Sequence, residues 1–202
     1  MKLYYLPGAC PLAAHIALEW IGQPYQIEEV PRDQLKQPAF LAKNPLGSVP
    51  VLEDGDLTLT QSSAILEYLA ERHPEAGLMP DTIAGRAEVR RWLGICNADI
   101  HRSFGNIFAA PSFVSAPETQ QELISKTSDK LKVYFGAIDR HMQGRQWLAE
   151  ARSIADPYLY TVMRWARLKQ VDLSSMKNLQ AFFGRMEAEP AVQAALKAQG
   201  LS

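Results

Sequence analysis

The chain has 202 residues and a formal net charge of −1, with 47% hydrophobic and 21% charged residues. This composition predicts a globular protein with one large domain or two small ones, and it excludes disorder as the main state. The nearly neutral charge argues against nucleic acid or an anionic membrane as an obligate partner, because both require a basic face.

The cysteine content and the N-terminus indicate the compartment. Two cysteines, Cys10 and Cys96, cannot build a disulfide framework, which favours a reducing compartment. The opening stretch "MKLYYLPGAC" contains no signal-peptide core, and no apolar run approaches the length of a membrane span. We therefore expect a cytoplasmic protein that does not cross a membrane.

The first third of the chain alternates short β-type runs with helical patterns. "KLYYL" predicts a strand, and "PLAAHIALEWIG" predicts a helix with Pro11 in its first turn and Gly22 at its end. "YQIEEV" predicts a second strand, and "LKQPAFLAKNPLG" an uneven helix. Two strands around an Asp-Gly turn follow, and then a helix from about Ser62 to His73. The predicted order is βαβαββα.

The segment "PEAGLMP" predicts a domain boundary, because Pro74, Gly77 and Pro80 interrupt regular structure. Apolar residues recur at helical spacing throughout the remaining chain. Cys96 falls on one such apolar face, where core packing is the favoured interpretation. We predict an α/β domain over residues 1–77 and an all-helical bundle over residues 84–202.

Cys10 lies directly before the Pro11 helix, in the stretch "PGACP". The first turn of a helix has unpaired N–H groups and a positive dipole end, which favour the reactive thiolate. A small buried residue in a tight turn is an equally good interpretation. Ala13 stands where a C-x-x-C motif would have its second cysteine, so redox chemistry would need a thiol from another molecule.

Two further stretches offer candidate binding groups. In "NPLGSVPVL", a cis bond before Pro50 would expose the Val49 backbone to an extended peptide, although the sequence alone favours a trans bond. In "TQSSAIL", Ser62 occupies the expected N-cap position. Its hydroxyl and the neighbouring N–H groups suit a carboxylate, and simple capping is the alternative.

The histidines and one S-x-x-D motif have mainly structural interpretations. His101 lies late in a predicted helix, where a lone histidine is more often structural or exposed than catalytic. Ser153 and Asp156 form a predicted capping box that builds the fold. The four histidines show no ligand spacing with cysteine or carboxylates, so we expect no metal.

Taken in order, "MKLYYLPGAC", "NPLGSVPVL", "LTQSSAILEYLA", "WLGICNADIH" and "SIADPYLYTVMRWA" resemble the cytosolic glutathione S-transferases. The resemblance is strongest to the bacterial beta class and covers nearly the whole chain. It implies a thioredoxin-like N-terminal domain, a helical C-terminal domain and a homodimer. It also implies conjugation of glutathione, as co-substrate, to small hydrophobic electrophiles.

The resemblance also assigns roles to the candidate residues. It implies that Cys10 lies at the glutathione sulfur and can form a mixed disulfide with it, and that His101 is a supporting donor or acid. It implies a cis Val49-Pro50 bond whose backbone pairs with the cysteinyl part of glutathione.

Further assignments concern the two ends of glutathione and the second substrate. Gln61 and Ser62 would hold the γ-glutamyl end, and Lys36 is a candidate contact. Aromatic residues of the helical domain would form an apolar pocket for the electrophile: Phe104, Phe108, Phe113 and Trp165.

The chain departs from the beta-class pattern at three positions. Pro11 replaces a usual Ser, Gln61 replaces a usual Glu, and Gly94 replaces an Asn that reaches the glutathione of the partner subunit. Two alternatives to conjugation therefore stay open: a glutathione-dependent thiol-disulfide reductase that uses Cys10, and a non-catalytic binding protein with the same fold.

Overall fold

The computed structural model describes residues 1–201. Its sheet has four strands in the order β2-β1-β3-β4, with β1 parallel to β2 and antiparallel to β3. The strands are β1 (Lys2–Tyr5), β2 (Gln26–Glu29), β3 (Val51–Asp54) and β4 (Leu57–Thr60). This mixed sheet has the predicted thioredoxin-like topology.

Three helices accompany the sheet: α1 (Pro11–Ile21), α2 (Pro38–Leu41) and α3 (Ser62–Arg72). Helix α1 ends at Gly22, whose φ of 70° is the left-handed conformation that glycine adopts readily. Short α2 carries one buried aromatic residue, Phe40, which packs with Tyr4 on one face of the sheet. The predicted βαβαββα order is confirmed.

The rest of the chain is helical, as predicted. After a 3₁₀ turn at Pro74–Ala76, the helices are α4 (Ile83–Gly94), α5 (Arg102–Phe108), α6 (Ala110–Phe113), α7 (Pro117–His141), α8 (Ala155–Leu168), α9 (Lys177–Ala188) and α10 (Pro190–Ala198). A π-helical stretch, Ile95–His101, joins α4 to α5. The division at residues 77 and 84 stays a prediction.

Helix α1 is the contact between the sheet and the helical part, since it packs against α3, α8 and α10. Leu12 and Ile16 of α1 and Tyr158 of α8 have no exposed surface. Cys96 is also fully buried, which confirms the core interpretation. The N-terminal and helical parts therefore share one continuous apolar core.

The start of α8 confirms that the S-x-x-D motif builds the fold, although the N-cap of the helix is Ile154 and not Ser153. Asp156 is fully buried and accepts hydrogen bonds from the Leu148 N–H at 2.9 Å and from the Ser153 N–H at 2.7 Å. The Ser153 hydroxyl donates to the same carboxylate at 3.0 Å. Burial raises the pKa of Asp156 to about 6, against the effect of these donors.

Some features are not found in the part of the chain that the structure describes. Across residues 1–201, no helix is both long and apolar enough for a bilayer. In the same range, no three His, Cys, Asp or Glu side chains gather into a group that could hold a metal ion.

Candidate functional site

The first element of the site is the Cys10 thiol at the N-terminus of α1. Cys10 is the N-cap residue, and its side chain is 9% exposed. Its Sγ donates to the Val49 carbonyl over 3.6 Å. The Val49-Pro50 bond is cis, so the trans bond favoured by the sequence alone is wrong. The fold thus brings Cys10 and the Val49-Pro50 segment together from positions 39 residues apart.

Ser62 lies beside the thiol, at the start of α3. It is almost fully buried, and it lies close enough to Cys10 for its hydroxyl to act on the pKa of the thiol. The prediction that Ser62 is the N-cap is wrong, because α3 begins one residue earlier than the capping signal suggests. Gln61 is the N-cap, with a φ of 73° and no capping bond from its side chain. This turn leaves Gln61 exposed and Ser62 directed inward.

Burial dominates the ionisation of Cys10. It raises the pKa of the Cys10 thiol to about 11, although the Ser62 hydroxyl acts in the opposite direction. For the protein alone, burial therefore favours the interpretation of Cys10 as a small buried residue over that of a stabilised thiolate. Cys10 is a neutral thiol near pH 7, and a neutral thiol is a hydrogen-bond donor.

This protonation state predicts a slow and strongly pH-dependent alkylation of Cys10. Only the thiolate reacts, so the rate with iodoacetamide should rise about tenfold per pH unit between about pH 7 and pH 9, without a plateau. Mass spectrometry after proteolysis would follow the Cys10 and Cys96 peptides separately. Cys96 is fully buried and serves as the internal control. A plateau near neutral pH would contradict the assignment.

A hydrogen-bonded chain of three side chains runs from His101 through Tyr158 to Asn97. The Tyr158 hydroxyl lies 2.7 Å from His101 Nδ1 and donates to Asn97 Oδ1 at 2.7 Å. Burial raises the pKa of Tyr158 above its usual range, and the nearby Cys10 adds to this. No local sequence signal indicates this role of Tyr158, because it lies 57 residues from His101 among ordinary apolar residues of α8.

Trp165 anchors the loop that precedes Cys10. Its indole Nε1 donates to the Gly8 carbonyl at 2.8 Å, and its ring packs edge-on against His101 with centroids 4.8 Å apart. Phe104 and Phe108 pack on the same indole. Phe104 has no exposed surface, so it supports Trp165 from behind and is not a pocket wall as predicted. Phe108 is 44% exposed.

A second set of hydrogen bonds holds this loop from the other side. The Gly8 N–H donates to Gln199 Oε1 at 3.1 Å, and Gln199 Nε2 lies 3.0 Å from His15 Nδ1. His15 is fully buried, and its Nε2 lies 2.9 Å from the Tyr25 hydroxyl. Trp165 and Gln199 together fix both backbone groups of Gly8. Sequence reasoning had missed these contacts, which span 157 and 191 residues.

A cleft of about 680 Å³ opens beside these residues. Gln61 lines it from the N-terminal part, and the residues from the helical part include Asn97, His101, Arg102 and Phe113. The lining is more polar than the sequence predicted. Of the four predicted pocket aromatics, Phe113 is the one that lines this cleft.

Lys36 lies on the loop side of the Val49-Pro50 segment. Its side chain is exposed and donates to the Leu46 carbonyl at 2.7 Å. A Cβ atom at Gly47 would come within 2.8 Å of Lys36 Nζ, so the ammonium group lies against this turn. The carbonyl that Lys36 contacts belongs to Leu46, three residues before Val49 in the sequence. The role of Lys36 as a ligand contact stays a prediction.

Comparison with known proteins decides the family. Residues 1–71 match the family described as glutathione S-transferase, N-terminal domain, and residues 104–190 match glutathione S-transferase, C-terminal domain. The chain belongs to the glutathione S-transferase family. This glutathione S-transferase is 42% identical over 204 residues to glutathione S-transferase GST-4.5 of Xanthomonas campestris pv. campestris, with full coverage of both chains.

Two solved structures are similar over their whole length. A sphingomonad glutathione S-transferase complexed with glutathione superposes with a TM-score of 0.88 at 35% identity, covering 100% of both chains. The bacterial beta-class glutathione S-transferase of Sphingomonas chungbukensis gives a TM-score of 0.89 at 35% identity, with the same coverage. The predicted family and its beta-class character are confirmed.

Proposed function

We propose that this glutathione S-transferase conjugates the sulfur of glutathione to small hydrophobic electrophiles. The observation that carries the proposal is the meeting of three groups at one place: the Cys10 thiol, the Val49 backbone before a cis proline, and the N-terminus of α3 at Ser62. Each group suits a different part of glutathione.

Glutathione is a short extended peptide with a thiol in the middle and a carboxylate at each end. The α3 N-terminus offers free N–H groups and the Ser62 hydroxyl to the γ-glutamyl carboxylate. The Val49 backbone pairs with the cysteinyl residue as one strand pairs with another. In this arrangement the glutathione sulfur would point toward Cys10, with Gln61 at the γ-glutamyl end and Lys36 as the candidate contact at the other end.

The chemistry requires a glutathione thiolate next to an electrophile. The Cys10 pKa of about 11 keeps its S–H proton available as a donor to that thiolate. His101 and Phe113 line the adjacent cleft, where the electrophile would rest. Holding both reactants in one cleft lowers the entropic part of the barrier.

The position of Cys10 also supports a second function, thiol-disulfide reduction. In that reaction the Cys10 thiolate attacks a glutathione mixed disulfide, forms a bond to the glutathione sulfur and releases the other thiol. A second glutathione thiolate then attacks the glutathione sulfur of this bond, forms glutathione disulfide and releases the Cys10 thiolate. The raised Cys10 pKa slows the first attack, so we rank conjugation first.

Two departures from the beta-class pattern support a third function, non-catalytic binding. Gln61 lacks the negative charge that would meet the glutathione amine. Gly94 lies exposed at the end of α4, with open space where an asparagine side chain would project. Membership of the family supports our proposal of a homodimer, and the two free cysteines support a cytoplasmic location.

Calorimetric titration with glutathione tests the proposed site. The wild-type protein should show saturable binding, and Ser62→Ala should weaken it by about fivefold to tenfold, the loss of one hydrogen bond worth about 1 kcal/mol. Ser63→Ala is the matched control, since Ser63 is the next residue of α3 and is less buried than Ser62. It should leave affinity nearly unchanged.

The outcomes separate the two glutathione-dependent functions from non-catalytic binding. Equal losses for both serine variants would contradict the assigned role of Ser62. No detectable wild-type binding at millimolar glutathione would overturn conjugation and reduction together, and would leave non-catalytic binding as the function of this fold.

A further inference from the structure

The hydrogen-bond chain behind His101 determines which nitrogen of its ring carries the proton. Tyr158 lies between Asn97 Oδ1 and His101 Nδ1, at 2.7 Å from each. Both distances are those of short, well-formed hydrogen bonds. The three residues come from two elements, because Asn97 and His101 lie four positions apart in the π-helical stretch and Tyr158 lies on α8.

With the amide oxygen of Asn97 facing Tyr158, counting hydrogens along this chain leaves one arrangement. A tyrosine hydroxyl has a single hydrogen, and here it is donated to Asn97 Oδ1. The Tyr158 oxygen can then only accept from His101, so Nδ1 must carry a hydrogen. A neutral imidazole has one N–H, which leaves Nε2 with a free lone pair.

The surroundings keep both side chains in the required protonation states. Burial raises the pKa of Tyr158, so the phenol keeps its proton. Burial lowers the pKa of His101, so the ring is neutral near pH 7. The Trp165 ring packs edge-on against the imidazole at 4.8 Å, and the Tyr158 ring packs at 6.0 Å. These contacts oppose a flip of the ring.

The free nitrogen belongs to a residue that faces the cleft. Within residues 1–201, Nε2 of His101 makes no hydrogen bond, and it is not one of the enclosed polar atoms that lack a partner. His101 also lines the 680 Å³ cleft. A lone pair there is a hydrogen-bond acceptor and a base.

We propose that Asn97 and Tyr158 are positioning residues that hold His101 in its Nδ1–H tautomer and present a basic Nε2 to the cleft. Only the catalytic role of Nε2 rests on the proposed function. In that role, the Nε2 lone pair accepts the proton that the glutathione thiol loses on becoming a thiolate. In this step the S–H bond breaks, its electron pair stays on sulfur, and the proton forms an N–H bond at Nε2. The tautomer itself follows from the contacts alone.

Nitrogen-15 NMR of the ligand-free protein tests the tautomer without any activity measurement. Long-range proton–nitrogen correlations of His101, at a pH well above its pKa, distinguish a protonated ring nitrogen from a bare one. We expect a protonated Nδ1 and a bare Nε2 in the wild-type protein. A protonated Nε2 would overturn the proposal, whatever the outcome of the glutathione titration.

Two substitutions at Asn97 make the test specific. Asn97→Leu removes the acceptor, so the Tyr158 hydroxyl is free to donate to Nδ1 and the tautomer should reverse. Asn97→Asp keeps an oxygen acceptor and should keep the wild-type tautomer. Circular dichroism would establish that both variants fold. An unchanged tautomer in a folded Asn97→Leu protein would overturn the role of Asn97, and a reversed tautomer in Asn97→Asp would do the same.

Tyr158→Phe provides the remaining comparison. It removes the hydroxyl that accepts from Nδ1, so we expect a mixture of the two tautomers. A single Nδ1–H tautomer in this variant would show that another group fixes the ring, and would overturn the role of Tyr158.

Discussion

Replacing Asp156 with alanine should destabilise the protein by about 3–5 kcal/mol. The substitution leaves three donors without their acceptor: the N–H groups of Leu148 and Ser153, and the Ser153 hydroxyl. All of these lie in a buried region, where an unpaired polar group costs about 1–3 kcal/mol. Urea unfolding at neutral pH, followed by circular dichroism, would measure the loss.

Asp172→Ala is the matched control for this substitution. Asp172 is exposed and accepts one hydrogen bond, from the Ser174 N–H at 2.9 Å. Its removal should cost less than about 1 kcal/mol, since water can replace the lost partner. Similar losses for the two aspartates would contradict the special role of the buried carboxylate.

The ionisation of Asp156 adds a pH dependence with a definite sign. Its pKa is about 6 in the folded protein and near 3.8 without burial, so the folded state binds the proton more tightly. The stability from this group is therefore fully present below about pH 4 and is lost as the pH rises through about 6. A pKa difference of one corresponds to about 1.4 kcal/mol, which gives a change on the order of 3 kcal/mol.

The pH effect can be isolated with Asp156→Asn, which does not titrate. As the pH rises from about 4 to 6, wild type should lose stability relative to this variant. Other carboxylates cancel in this comparison. A difference that grows in favour of wild type over this range would show that the hydrogen bonds, and not burial, dominate the Asp156 pKa.

Replacing Cys10 should separate the two glutathione reactions completely. Incubation of the wild-type protein with glutathione disulfide should add one glutathionyl group at Cys10, and Cys10→Ala should add none. Cys96 should stay unmodified in both proteins, because it is fully buried. Intact-protein mass spectrometry gives the count directly. Wild-type protein that adds no group would overturn the reductase function.

Conjugation should respond differently to the same position. The proposed role of Cys10 is to donate a hydrogen bond to the glutathione thiolate, and a bond to a charged group contributes about 1.5–3 kcal/mol. Cys10→Ala should therefore lower the conjugation rate by about 10-fold to 100-fold. Cys10→Ser keeps a donor and should retain most of the rate while forming no mixed disulfide. Equal losses in both variants would contradict the donor role.

The sequence by itself determined the elements of this fold. The order of strands and helices, the helix start at Pro11 and the structural motif at Ser153 and Asp156 were all predicted. These features depend on signals only a few residues long, such as apolar spacing and turn residues, so local physics decides them. The resemblance to the beta class supplied the functional candidates, including Cys10 and His101.

The tertiary structure decided what the candidate residues can do. Burial of Cys10 under residues distant in sequence makes it a neutral thiol, although its helix position favours a thiolate. The turn at Gln61 directs Ser62 inward, and complete burial turns Phe104 into a support for Trp165. Desolvation and long-range packing depend on the whole chain, and no short stretch of sequence records them.

The contact between His101 and Tyr158 shows the same division. Nothing within several residues of either side chain indicates the other, and the two lie 57 positions apart. The structure places them 2.7 Å apart because α8 packs against the π-helical stretch. The amino-acid sequence determined that a histidine would lie on this helix, and the packing of two helices determined which of its nitrogens meets the Tyr158 hydroxyl.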